Sequence, residues 1–149
     1  GALARLGVDR ALVVCGEDGL DELSVAAATK VVEVNGEELR SYTLAPGEAG
    51  VDPVESDALS RDCAGGTPEQ NAAVTRAILA GEDDDEGAST RMSLALINAG
   101  AAIYAAGGAS SIADGVDAAR EAIAGGSATA ALERYLSASR EYAPAKAAS

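Results

Sequence analysis

The chain contains no Phe and no Trp, and this absence constrains its fold more than any other feature. Hydrophobic residues still make up 48% of its 149 residues, and Ala and Gly supply much of that share. Such small side chains exclude water only when helices and strands approach one another closely. A chain of this length forms one domain at most. We therefore expect a closely packed domain of helices and strands.

The charge balance excludes several classes of partner. Asp and Glu number 24 against 11 Lys and Arg, which gives a net charge of -13. Nucleic acids and anionic membrane surfaces both require clustered Lys and Arg. No run approaches the roughly 18 apolar residues of a membrane span. We therefore expect a cytoplasmic protein that binds neither nucleic acid nor membrane.

The chain has no histidine, which limits the chemistry that it can perform. Serine and cysteine nucleophiles activated by His, His-ligated metals and His general bases are all excluded. Cys15 and Cys63 lack a C-x-x-C spacing and are expected to be free thiols in a reducing compartment. Carboxylates, hydroxyls, backbone amides or an oxygen-ligated metal remain available.

The first strong strand signal is the apolar run from Arg10 to Cys15, which Gly16 ends. Such a continuous run is typical of a strand buried on both faces of a parallel sheet. A parallel strand needs an earlier strand and a crossover, so the chain is expected to begin inside a βαβ unit, with residues 2–7 as the end of a helix. The predicted fold class is α/β, part of a mainly parallel sheet flanked by helices.

A β-hairpin should follow this strand, because Asn35-Gly36 separates two runs of strand-forming residues at 30–34 and 37–44. The acidic run Glu82–Glu86 is expected to be a solvated loop, since its like charges repel. Residues 143–149 are expected to be a frayed tail. Capping and apolar spacing predict helices at 54–59, 67–81, 90–106, 111–124 and 127–142.

Four carboxylates follow the first strand in the segment CGEDGLDE, at Glu17, Asp18, Asp21 and Glu22. Ligands bind at the carboxyl ends of strands in open α/β sheets. Adjacent acids without His or Lys are poor acid–base groups, but they suit Mg²⁺, which takes one or two carboxylates together with waters and phosphates. Judged from this loop alone, a solvated acidic turn is the alternative.

The order of these segments resembles the C-terminal half of the anthranilate phosphoribosyltransferase family over essentially the whole chain. The most specific match is G-x-D-G-L-D-E at residues 16–22, supported by G-G-x-P-x-x-N-A at residues 65–72. The resemblance implies that residues 1–142 are the C-terminal portion of a glycosyltransferase α/β domain of the nucleoside phosphorylase/phosphoribosyltransferase type. A pyrimidine nucleoside phosphorylase shares that architecture but not the acidic loop.

The resemblance implies a pentosyltransferase of tryptophan biosynthesis. Its substrates would be 5-phosphoribosyl 1-diphosphate (PRPP) and anthranilate, and its products N-(5-phosphoribosyl)anthranilate and diphosphate. By position, Asp21 and Glu22 would hold the Mg²⁺ that neutralises the diphosphate, and no residue of this chain is assigned as catalytic. A homodimer is implied for the full-length enzyme.

This chain departs from the family pattern in two ways. Cys15-Gly16 stands where the family usually has His-Gly. The family's Gly-rich phosphate loop, its Asn-Ser-Thr segment and its anthranilate-contacting Arg belong to sequence upstream of Gly1, so we expect the isolated chain to be inactive. The alternative from a different class is a non-catalytic acidic α/β remnant or partner-binding module.

Two buried or capping amides, Asn98 and Asn71, are expected to bond to nearby backbone rather than to ligand.

Overall fold

A computed structural model describes residues 1–142, and the expected tail at 143–149 lies outside the described residues. The chain combines one three-stranded sheet with several helices, and the α/β class is confirmed. The elements are α1 (Ala2–Arg5), β1 (Arg10–Gly16), β2 (Thr29–Asn35), β3 (Glu38–Leu44), a 3-10 turn (Pro46–Ala49), α2 (Ser56–Asp62), α3 (Pro68–Ala80), α4 (Ala88–Ala105), α5 (Ile112–Ala124) and α6 (Ser127–Tyr142).

The sheet has the order β1-β2-β3, and both strand pairs are antiparallel. The expected parallel sheet is therefore not what the described residues form. The prediction that β1 is buried on both faces was also wrong. Leu12 and Val14 pack against the core, whereas Val13 is 50% exposed and Cys15 is exposed. A continuous apolar run does not show whether one face of a strand is covered or both. On the second face of this sheet, the short helix α1 contacts β2.

The hairpin is confirmed, with its turn one residue later than predicted. Asn35 still belongs to β2 and pairs with Glu38, so the two turn residues are Gly36 and Glu37. Gly36 has a φ of 58°, and no residue other than glycine has a positive φ in the described chain. Glycine at the first turn position supplies the backbone conformation that a tight two-residue turn needs.

Local signals set the helix ends. The Thr67 hydroxyl accepts a hydrogen bond from the Gln70 backbone N–H, and the Gln70 side-chain oxygen accepts one from the Thr67 backbone N–H. Gly81 ends α3 in the left-handed conformation. Ser111 caps α5 by accepting from Asp114 N–H at 3.0 Å. These caps satisfy backbone groups that a helix end leaves free. Among residues 1–142, no helix has the length and hydropathy to span a membrane.

The core depends on the close crossing of α4 and α5, the helix pair with the most extensive contact. A Cβ on Gly100 would lie 2.6 Å from the backbone nitrogen of Val116, and one on Gly115 would overlap the carbonyl group of Gly100. The expected small-residue core is thus confirmed at the helix crossing. Around it lie fully buried aliphatic side chains from the loop after β1, from β2 and from both helices: Leu23, Val25, Val31, Leu96, Ile97 and Val116.

Candidate functional site

The loop between β1 and β2 begins with a tight turn. Gly16 N–H donates to the carbonyl oxygen of Leu20 at 2.8 Å, and Gly19 N–H donates to that of Gly16 at 3.0 Å. Gly19 has a φ of 92°, which favours glycine strongly. After the turn, Leu23 and its two successors are buried. Asp21 and Glu22 are therefore held between a closed turn and a segment anchored in the core.

Asp18 has a structural role in this loop. One of its carboxylate oxygens accepts from the Ser24 hydroxyl at 2.6 Å, and the other accepts from Leu20 N–H at 3.2 Å. Ser24 is 1% exposed, and its hydroxyl oxygen also accepts from Ala26 N–H at 3.0 Å. Asp18 thus links the two sides of the acidic turn. Because its carboxylate is used in this way, Asp18 is not part of the predicted metal pair.

Asp21 and Glu22 are both exposed. None of the ion pairs within residues 1–142 involves either of them. In the same part of the chain no three Asp, Glu, Cys or His side chains come together as a metal site. Two free carboxylates do not make an all-protein cage, but they fit Mg²⁺, which retains waters and takes substrate phosphate oxygens as further ligands.

Glu22 lies where two cavities meet. One cavity, of about 560 Å³, is bounded by the acidic turn and α2, and includes Ser56, Ser60 and Cys63 in its lining. The other, of about 440 Å³, is bounded by α2, α3 and α4. Glu22, Cys63 and Leu94 line both. Glu22 therefore stands between two adjoining cavities, the kind of concave surface expected of a small-molecule site, and Asp21 precedes it in the chain without lining either cavity.

Asn98 of α4 contacts the backbone directly after the carboxylate pair. Its Oδ1 accepts from Leu23 N–H at 3.0 Å, and its Nδ2 donates to the carbonyl oxygens of Leu23 at 3.0 Å and of Leu94 at 3.1 Å. The expectation that Asn98 bonds to backbone is confirmed. Sequence reasoning missed that its main partner lies 75 residues away, in the candidate metal loop.

Asn71 closes the Gly65-Gly66 loop in front of α3. Its Oδ1 accepts from Gly66 N–H at 2.8 Å, and its Nδ2 donates to the Gly66 carbonyl oxygen at 3.3 Å. Both groups of one amide are used on one residue of the loop. Asn71 is therefore a structural residue of the G-G-x-P-x-x-N-A segment, as expected.

The acidic run at 82–86 is not simply a solvated loop. Asp83 accepts two hydrogen bonds from the Arg91 guanidinium, at 2.9 and 2.8 Å, and Arg91 also contacts Asp85. These bonds raise the pKa of Arg91, against the effect of its burial. Arg91 further donates to the Asp62 carbonyl oxygen at 3.3 Å. The prediction of a solvated loop considered only the repulsion among the acidic residues of the run. It overlooked Arg91, a cationic residue nearby on α4.

The two cysteines are free thiols, as expected. Burial raises the pKa of Cys63, and the negative charge of Asp62 raises it further. A thiol with a raised pKa is a weak nucleophile at neutral pH, because the thiolate is the reactive form. Cys15 is exposed and does not line either cavity beside Glu22. Neither thiol is therefore assigned a role in chemistry.

The fold and the acidic loop define a class of protein. The glycosyl transferase family, a/b domain, matches residues 1–129, and the chain belongs to this family. The chain is 50% identical over 143 residues to the anthranilate phosphoribosyltransferase of Natronomonas pharaonis, a match that covers 96% of this chain and 39% of that protein. It is 43% identical over 142 residues to the enzyme of the same name from Rubrobacter xylanophilus, with 95% and 39% covered.

Solved structures give the same result. Anthranilate phosphoribosyltransferase from Saccharomyces cerevisiae in complex with 4-fluoroanthranilate superposes with a TM-score of 0.71 at 25% identity, over 86% of this chain and 35% of that one. The yeast enzyme in complex with PRPP and Mg gives a TM-score of 0.69 at 26% identity, over 82% and 33%. The chain spans about two fifths of the length of the curated relatives that it matches.

Proposed function

We propose that this chain is part of an anthranilate phosphoribosyltransferase, which transfers the phosphoribosyl group of PRPP to the amino group of anthranilate. The observation that carries the proposal is the exposed pair Asp21 and Glu22, of which Glu22 lines the cavities on both sides of it. This pair stands at the end of the G-x-D-G-L-D-E segment, in a chain 50% identical to an enzyme of that name.

The chemistry of the transfer suits this pair. A bond forms between the anthranilate nitrogen and the anomeric carbon of the ribose, while the bond from that carbon to the diphosphate oxygen breaks. The diphosphate leaves with the bonding electrons and gains negative charge, and the amino group loses its proton. A bound Mg²⁺ would stabilise that charge. The Asp21 and Glu22 carboxylates would hold the ion, leaving its other positions to water and diphosphate oxygens.

The family resemblance supplies the finer features of the proposal. Residues 1–142 would form the C-terminal portion of an α/β domain of the nucleoside phosphorylase/phosphoribosyltransferase type, in which the edge of β1 that β2 does not use pairs with a parallel strand of a longer chain. A homodimer and a cytoplasmic location in tryptophan biosynthesis belong to the same proposal. The coverage of about two fifths of the relatives' length supports a longer enzyme, and the two free thiols support a reducing compartment.

The test is a kinetic comparison in the longer protein that contains this chain. Asp21→Asn together with Glu22→Gln should lower kcat/KM on the order of 100-fold and raise the Mg²⁺ concentration needed for half-maximal rate. The matched control is Glu37→Gln with Glu38→Gln, which removes two neighbouring exposed carboxylates at the hairpin and should leave both values unchanged. An Asp21/Glu22 double variant with an unchanged rate and Mg²⁺ dependence would contradict the metal role of the pair, whereas a longer protein with no anthranilate-dependent turnover at all would favour the non-catalytic module.

A further inference from the structure

We propose that Asn98 is a positioning residue for the Asp21–Glu22 pair: its side-chain amide fixes the backbone of the loop so that both carboxylates stay in place for the metal. This inference rests on the proposed function and deepens it. Asn98 touches neither carboxylate. It lies in the middle of α4, which the sequence indicated only as part of the core.

The first observation is that one amide holds both backbone groups of one residue. Asn98 accepts from the Leu23 N–H and donates to the Leu23 carbonyl oxygen, each at 3.0 Å. The two peptide groups on either side of the Leu23 Cα can therefore neither rotate nor move along α4 without losing a hydrogen bond. A side chain that only satisfied its own polarity could use water or any single partner.

The second observation is that α4 is a rigid support. Gly100 lies in backbone contact with α5, and two residues along a helix turn the side chain by about 200°. Asn98 therefore faces away from the α4–α5 crossing and toward the loop. At the other end of α4, Thr90 donates to Asp62 at 2.8 Å. A helix fixed in this way can hold a loop at a constant position.

The third observation is that the loop is tied on both sides of the carboxylate pair. Before the pair, Asp18 accepts from Leu20 N–H and from the Ser24 hydroxyl. After it, Leu23 is held by Asn98 and is 1% exposed. Asp21 and Glu22 occupy the short segment between these anchors and keep their side chains in solvent. Groups hydrogen-bonded to metal ligands are worth about 10- to 100-fold in metal affinity, and an anchor of the ligand loop should fall at the lower end of that range.

The test uses NMR on the 149-residue chain, with Mn²⁺ as a paramagnetic probe of the Mg²⁺ site. Asn98→Leu keeps the number and branching of the side-chain heavy atoms, with somewhat greater bulk, but removes every hydrogen bond of the amide. We expect Leu23 N–H to exchange with solvent at least ten-fold faster, and about ten-fold more Mn²⁺ to be needed to broaden the Asp21 and Glu22 amide signals equally. The control is Tyr104→Phe, which removes a hydrogen bond from the same helix away from the loop; its effect on overall stability should speed the Leu23 exchange no more than about five-fold and leave the Mn²⁺ requirement unchanged.

The outcomes separate the two proposals. Asp21→Asn with Glu22→Gln should abolish the broadening, and if it does not, the metal site and the proposed function fail. If that double variant abolishes the broadening while Asn98→Leu leaves it and the Leu23 exchange rate unchanged, the positioning role alone fails. Should Asn98→Leu not fold, the wild-type chain still decides: exchange of Leu23 N–H at the rate of an exposed loop amide would overturn the proposal.

Discussion

Gly115 of α5 lies directly against the carbonyl group of Gly100 of α4, with no space for a side chain on either glycine. This contact is where a chain without Phe or Trp obtains the close packing that a large aromatic core would otherwise provide. Because α4 also carries Asn98, the crossing determines where the helix stands relative to the acidic loop. The stability of the domain and the geometry of the candidate site are linked through it.

Gly115→Ala should destabilise the chain by about 3 kcal/mol, because the added methyl group can be accommodated only by separating the two helices. Gly47→Ala is the matched control, since a Cβ there meets nothing within 4 Å and the residue has no positive φ. It should be neutral or stabilising by less than about 1 kcal/mol. Urea unfolding followed by circular dichroism measures both, and equal stabilities of the two variants would refute the packing argument.

Asp83 and Arg91 form a second test of stability. Their side chains are only 6% and 13% exposed, and removal of Asp83 leaves Arg91 with Asp85 as its remaining carboxylate partner. Asp83→Ala should cost about 2 kcal/mol, because it removes two hydrogen bonds to a charged group. The neighbouring Asp84 is exposed, and Asp84→Ala should stay within about 0.5 kcal/mol of the wild type. If both variants unfold at the wild-type urea concentration, the acidic run is the solvated loop that its sequence suggested.

Tyr104 should make stability depend on alkaline pH. Its hydroxyl donates to Glu33 at 2.7 Å; this hydrogen bond, then burial and the charge of Glu33, raise the pKa of Tyr104. A tyrosine pKa above the unfolded value of about 10 means that the stabilisation is complete below that pH and is lost as pH rises through the folded pKa. Tyr104→Phe should therefore lower stability by about 1 kcal/mol at pH 7 and flatten its decline above pH 10.

The control for this experiment is Tyr135→Phe, because Tyr135 is 69% exposed. Tyr135→Phe should leave the free energy of unfolding unchanged at pH 7 and above pH 10. Burial also raises the pKa of Tyr42, so some alkaline dependence will persist in the Tyr104 variant, and the quantity to compare is the difference between the two profiles. A Tyr104→Phe profile parallel to that of the wild type would contradict the assignment.

The 149-residue chain alone should not consume anthranilate in the presence of PRPP and Mg²⁺. The single cationic side chain that lines the two cavities beside Glu22 is Arg91, and its guanidinium is already bonded to Asp83. The two cavities beside Glu22 therefore offer no free positive charge to a phosphate group. The fluorescence of anthranilate follows the reaction directly, and steady PRPP-dependent consumption by the purified chain would contradict this expectation.

Local sequence signals were sufficient where a few neighbouring residues determine the backbone. Thr67 and Gln70 indicated the start of α3, Gly81 indicated its end, and Gly36 indicated the turn of the hairpin. The exposed face of β1 was not predictable from its apolar run, because that run does not encode which elements cover Val13. The hydrogen bonds between Asn98 and Leu23 were equally hidden, since they join residues 75 positions apart and arise only from the placement of α4 beside the loop.

The most direct test of the central claim is where a divalent ion binds on this chain. We would titrate Mn²⁺ into the ¹⁵N-labelled chain with diphosphate present and map the loss of amide signals, because Mn²⁺ takes the same oxygen ligands as Mg²⁺. The account predicts that signals of Asp21 and Glu22 disappear first, ahead of those of the run at 82–86. Broadening that begins at 82–86, or that spares Asp21 and Glu22, would contradict it.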